Sequence, residues 1–217
     1  SQVHQAVEHQ ALVREKARLQ TLSQQQTEQL RQLNTSLEAK VAARTSELAQ
    51  ANERLKNSFL VGIKVFSTLI EMRGDGLAGH ARRVAILART LARRMGLGET
   101  AIQEVFVAGL LHEIGKIGFN DTLLGTPVSR LSPFQLQEYR QHPSRAEALL
   151  MPLQELQGAV TVIAAQLERV DGGGHPNHLR GDAIPIGARI LALASDYDNL
   201  QMGVLVPRKL TPAQAQV

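Results

Sequence analysis

The sequence predicts an all-α protein, a long N-terminal coiled-coil helix feeding a helical bundle, and three observations predict it. Residues 1–58 contain neither glycine nor proline. Apolar residues in that stretch recur mostly at steps of three, four or seven, the spacing of a seam between packed helices. From residue 59 onward apolar residues thicken and Gly and Pro appear at intervals, yet no segment alternates convincingly at period two, so helices and loops are expected there and strands are not.

The N-terminal stretch is rich in Gln, Glu, Ala, Leu, Lys and Arg, all good helix formers. Its seam is Leu12, Leu19, Leu22, Leu30, Leu33, Leu37, Val41, Leu48 and Leu55. Gln26 interrupts it, and the 33–37–41 spacing reads as a stutter. A continuous helix of this length would reach roughly 85 Å at about 1.5 Å per residue. So narrow an apolar stripe needs a partner. A parallel homodimer through roughly residues 10–58 is expected, with one helix lying on its own globular domain as the alternative.

Beyond residue 58 helical patterns follow at 59–73, 78–95, 99–113, 132–140, 143–151, 154–168 and 185–200. Gly74, Gly76, Gly96, Gly98, Gly118, Pro127, Pro133, Pro143 and Pro152 lie between or at their edges, and long loops are expected at 118–131 and 171–184. The division is thus a coiled-coil linker, 1–58, and a helical domain, 59–217.

Composition narrows the function. Aromatic residues make up 3% and Trp is absent, which argues against a stacking platform for single-stranded nucleic acid. Net charge is +4, and acids interleave with bases throughout: eight Lys/Arg against six Glu in residues 1–60. A mixed, solvated surface follows rather than a nucleic-acid or membrane patch. With no cysteine, neither disulfides nor thiolate metal sites exist. No apolar run approaches the ~20 residues that a membrane span requires, and no signal peptide is visible. A cytoplasmic location is expected. The opening SQVHQAVEHQALVREKARL already reads as helix, as in a piece of a longer protein.

Of seven histidines, His4 and His9 lie in the N-terminal arm and His178 in a polar loop. His80 shares a helical stripe with Val84, Leu87 and Leu91, so it faces a core. His112 follows the apolar run VAGLL and stands beside Glu113. Buried together, these two need a partner or an ion. No HxxxH or HExxH spacing is present, so a hydrogen-bonded structural pair and a metal site both remain open on the residues alone.

Longer motifs add a resemblance. GHARRV (79–84), HEIGKIG (112–118), ERVDGGGHP (168–176) and LRGDAIPIGARILALASDYDNL (179–200) resemble, in order and spacing, the HD-GYP group of the HD phosphohydrolase superfamily, over about residues 60–212. LNTSLEAKVAARTSELAQANERL (33–55) resembles the signalling helices that join sensor or receiver domains to output domains, and the preceding segment resembles the end of a response-regulator receiver and its linker.

The resemblance implies an HD-type helical bundle and a metal-dependent phosphodiesterase that opens cyclic di-GMP to pGpG or GMP with two or three iron or manganese ions. It makes His80, His112 and His142 metal ligands, puts Glu113 where the family has Asp, and gives Lys116 the role of stabilising developing charge. It also shows departures. Gln166 and Leu167 replace two ligand histidines, and Ser195 replaces a ligand Asp. Asn199 stands in a motif that ends in Ala-Leu in the family. Val204, Leu205, Val206 and Pro207 replace a substrate-holding RPYR, and His175 replaces the Tyr of GYP. At most one divalent metal, weakly held, is expected, or none. In a metal-free pocket Glu113 is expected to hydrogen-bond a histidine, and Lys116 to matter little. Asp171, Gly172, Gly174, His175, Pro176 and Asp198 are grouped as a substrate or partner loop, because the family's GYP loop implies contact with diguanylate cyclase (GGDEF) domains. The expectation is a degenerate two-component output domain acting through regulatory contact or cyclic di-GMP binding. An active cyclic di-GMP phosphodiesterase is the alternative.

Overall fold

The computed structural model describes residues 2–72 and 79–216. Gly74 and Gly76, read above as breakers, lie outside the described residues. The first helix, α1, runs Gln2–Glu71 without a break. Within 2–71, the two stretches read as 1–58 and 59–73 are therefore one element. The change in composition near residue 58 does not break a helix, and Gly62 is tolerated singly. Thr21, Thr27, Thr35 and Thr45 turn their hydroxyls back onto the carbonyl four residues earlier, so their polar groups are satisfied within the helix. The seam leucines are bare in the single chain: Leu12, Leu30, Leu33 and Leu55 are 65–68% exposed.

The chain divides into two compact units, Ser1–Phe59 and Leu60–Val217. The second holds the last turns of α1 and then α2 (His80–Arg94), α3 (Glu99–Leu111), α4 (Asp121–Gly125), α5 (Pro133–Tyr139), α6 (His142–Leu150), α7 (Gln157–Ala164) and α8 (Ile186–Met202). Among the described residues there is no strand, only an isolated antiparallel bridge between Asp171 and Arg180. The stretch 118–131, expected to be a loop, contains α4 and a 3-10 turn at Val128–Arg130. Asn120 caps α4 by accepting from the Leu123 amide at 2.8 Å. α7 ends at Ala164, four residues before the expected stop at 168.

The core lies where α2, α3, α7 and α8 meet: Val84, Ala85 and Ala88, Val105 and Ala108, Val160 and Ile163, Leu191 and Ala194 are all buried. Small residues let α2 and α3 approach closely. A Cβ on Gly109 would come within 2.6 Å of the Ala85 Cα. The start of α2 is capped from α1: the Glu71 carboxylate accepts from the Gly79 and Ala81 amides, each at 2.7 Å. Those two bonds hold the start of α2, whose first residue is the buried His80.

Candidate metal centre

His80 and His112 enter one pocket from different helices. His80 opens α2, and His112 follows the last turn of α3. Each is 1% exposed. His80 donates from Nδ1 to Asp198 Oδ2 at 2.6 Å, and His112 donates from Nδ1 to the Gly109 carbonyl at 2.9 Å. Those acceptors fix both tautomers, because a carboxylate and a carbonyl can only accept. With both rings uncharged, each Nε2 carries a lone pair, and the two face each other at 3.2 Å. Glu113 Oε1 completes the group, 3.8 Å from His80 Nε2 and 3.6 Å from His112 Nε2.

The three donor atoms lie within 4.8 Å of one another. Two imidazole nitrogens and a carboxylate form a donor set that a divalent transition metal satisfies. The residues fit such an ion. The supports outside the group fit as well: Asp198, which fixes His80, is itself gripped by Arg83 at 2.7 and 2.9 Å. Burial pushes the Asp198 carboxyl up, but the His80 and Arg83 hydrogen bonds hold it down at about 2.

Glu113 differs from expectation. Its distances to the histidines exceed hydrogen-bond length, and its hydrogen bond goes instead to Lys116 Nζ at 2.5 Å. Both residues are buried. Burial pushes the Glu113 carboxyl up, but Lys116, His112 and His80 outweigh it and hold it well below the usual carboxylate range. Lys116 is raised: burial opposes its charge, and Glu113 more than compensates. Its ammonium also lies 4.9 Å above the Tyr139 ring. Lys116 is thus the partner of a buried charge, contrary to the expectation that it matters little.

His142 is buried nearby but stands outside the three-donor group. It donates from Nδ1 to the Tyr139 carbonyl at 2.7 Å, and burial with the neighbouring Lys116 charge lowers it to about 3. Gly115 brings its backbone close, since a Cβ there would overlap the His142 carbonyl oxygen. Burial, only partly opposed by Glu113, lowers His112 to about 4.

The substituted positions also fall around the pocket. Gln166 is buried and donates its amide to the His112 carbonyl at 3.1 Å. Leu167 is half-buried. Ser195 Oγ lies 3.4 Å from His112 Nε2 and accepts from Asn199 Nδ2 at 3.1 Å. Asp198, grouped above with the loop, is on α8 beneath His80 instead. It lies 118 residues from His80 in sequence, and no local pattern joins the two. The loop proper is organised by a residue not singled out above. Glu168 accepts from the amides of Asn177 and Leu179 at 2.6 and 3.0 Å. Asp171 accepts from the Gly173 amide, and the His175–Pro176 peptide is cis. His175 packs on His178 with ring centres 5.2 Å apart and is not a member of the three-donor group.

The HD domain family model matches residues 64–216. The chain is 32% identical over 178 residues to the cyclic di-GMP phosphodiesterase response regulator RpfG of Xanthomonas campestris pv. campestris, covering 81% of this chain and 45% of that protein. It is 29% identical over 153 residues to the 3'3'-cGAMP-specific phosphodiesterase 3 of Vibrio cholerae, covering 70% and 33%. The chain therefore spans less than half of these relatives. Among solved structures, Bd1817, a HDG"Y"P protein from Bdellovibrio bacteriovorus, aligns with a TM-score of 0.53 at 24% identity, over 63% of this chain and 43% of that one, and shares its fold. From the matched family model and the relatives together, this chain belongs to the HD domain family, as a member of its HD-GYP group.

Proposed function

We propose that this chain is the output part of a bacterial, cytoplasmic response-regulator-like protein in cyclic di-GMP signalling. Its HD-GYP domain acts through ligand binding or regulatory protein contact rather than hydrolysis. The observation that carries this reading is the donor count. Three side chains, His80, His112 and Glu113, converge, while Gln166 turns its amide to a backbone carbonyl and Leu167 offers no donor. These residues would hold one divalent iron or manganese ion, which would supply Lewis acidity toward a phosphate oxygen. A two-metal clamp on both the attacking and leaving oxygens lacks the side chains to hold it. The loop 171–176, held by Glu168 and Asp171, is the surface proposed for a diguanylate cyclase (GGDEF) partner.

A second reading, an active cyclic dinucleotide phosphodiesterase, draws support from the survival of His80, His112, Glu113 and Lys116 in one buried cluster. Turnover decides between them. Incubation with cyclic di-GMP, and separately 3'3'-cGAMP, in the presence of Mn2+ or Fe2+ is expected to give no linear product above a His112→Ala control. Metal-dependent product that this substitution abolishes would restore the hydrolase reading.

A further inference from the structure

Asn199 is 3% exposed on α8, and its Oδ1 has no hydrogen-bond partner among the described residues. An unpaired buried acceptor is unfavourable and calls for a reason. Its other amide atom, Nδ2, donates to Ser195 Oγ at 3.1 Å, and Ser195 Oγ lies 3.4 Å from His112 Nε2. Because His112 Nδ1 donates to Gly109, Nε2 is an acceptor. In this arrangement the serine accepts a hydrogen bond from Asn199 and donates its own hydroxyl to His112, covering the lone pair that a metal would use.

An amide can present the reverse chemistry. Half a turn about χ2 exchanges Nδ2 and Oδ1 at almost unchanged shape. Asn199 would then accept from the Ser195 hydroxyl, and the serine oxygen would turn a lone pair toward the pocket. The turn exchanges one unpaired amide atom for the other, so neither arrangement is strongly preferred on that account. No other side-chain bond holds the Asn199 amide in its present sense.

We infer that Asn199 sets the direction of the Ser195 hydroxyl, and so decides whether Ser195 covers His112 or joins His80, His112 and Glu113 as a fourth oxygen donor to a divalent metal. Asn199 is a positioning residue here, acting only through Ser195. The inference rests on the metal reading of the pocket proposed above. It assigns a role to a residue that the resembling motif lacks, since that motif carries alanine at this position.

Two measurements test it. In chelator-treated protein with 15N-labelled histidine, the His112 Nε2 resonance reports whether its lone pair accepts a hydrogen bond. Ser195→Ala, which removes the hydroxyl, and Asn199→Asp, whose carboxylate takes it, are both expected to move it downfield, toward an unbonded imidazole. An unmoved resonance in Asn199→Asp overturns the inference. Mn2+ affinity by electron paramagnetic resonance forms the second test, across wild type, Asn199→Asp, Ser195→Ala and the double variant. Aspartate can only accept, so it should tighten Mn2+ several-fold when Ser195 is present and hardly at all in Ser195→Ala. Equal tightening in both backgrounds would be through-space charge and would overturn the inference while leaving the metal reading intact, provided His112→Ala still abolishes binding. If wild type and His112→Ala bind Mn2+ equally, or neither binds, the metal reading itself fails and the fourth-donor role falls with it.

Discussion

His80 and His112 present Nε2 to Nε2 at 3.2 Å, each with its Nδ1 hydrogen committed to another acceptor, Asp198 and the Gly109 carbonyl. Two acceptors facing each other repel unless something positive lies between them. The Glu113 carboxylate beside them makes that requirement stronger. That geometry suits a cation, whether a metal ion or a proton, and the predictions start from it.

Asp198 positions His80, so its loss should be felt at the metal. Asp198→Ala removes the acceptor for His80 Nδ1 and a partner of Arg83 together. Mn2+ affinity, measured by competition with a chelator, is expected to fall roughly 10–100-fold, the usual cost of losing a support behind a metal-binding histidine. Asp198→Asn, which keeps an oxygen toward Nδ1, should lose less. Equal affinity in wild type and Asp198→Ala would contradict the role.

Lys116 and Glu113 should behave as one buried ion pair. Lys116→Met leaves Glu113 charged and unpaired and is expected to destabilise the domain by about 3–5 kcal/mol, as when one member of a buried pair is removed. Lys116→Met with Glu113→Gln should recover much of that loss. Denaturant midpoints of the three variants check it. A Lys116→Met protein as stable as wild type would show that the pair carries no structural weight.

Acid should destabilise the metal-free protein in a defined window. In the unfolded chain histidine titrates near ~6.5, while folded His112 and His142 are lowered to about 4 and about 3. Below ~6.5 the unfolded state thus binds protons that the folded state does not, and stability falls as pH falls, by at most about 1.4 kcal/mol per pH unit for each histidine. The loss continues until the folded values are reached. Glu113 acts in the same direction at lower pH. Its folded value is depressed, so its contribution is present above the unfolded carboxylate value and lost below it. Melting of chelator-treated protein between pH 7 and pH 4 should show a monotonic decline, and a flat profile would refute the assignment of neutral buried histidines.

Much of this was legible in the sequence. The stripe of His80, Val84, Leu87 and Leu91 gave a core-facing histidine because helical periodicity is local. VAGLL before His112 marked burial for the same reason. Other features were illegible because they are not local. Asp198 meets His80 across 118 residues, and Gln166 meets the His112 carbonyl across 54. The Lys116–Glu113 bond was missed although the two are three residues apart. The intervening 3-10 turn, Ile114–Lys116, curls the lysine back onto Glu113, a contact that helical periodicity does not mark. α4 was missed because five residues are too few to show a period, although Asn120 before Asp121 was a cap signal.

The bare seam of α1 leads to a prediction about assembly. We propose that two copies pair in parallel along roughly residues 10–58, covering Leu30, Leu33, Leu37 and Leu48, all exposed in the single chain. Light scattering should give a dimer mass, and Leu33→Lys with Leu37→Lys should give a monomer with the second unit still folded. A monomeric wild-type chain would contradict the pairing.

We propose that this HD-GYP pocket retains one cation site and has lost the donors for a second. Metal content measured on protein purified without chelators, from cells supplied with iron and manganese, tests it most directly. The account predicts no more than one equivalent of iron plus manganese per chain, reduced to background in His80→Ala and in His112→Ala. Two or more equivalents, lost on those same substitutions, would mean that other side chains supply the missing ligands, and would contradict the account.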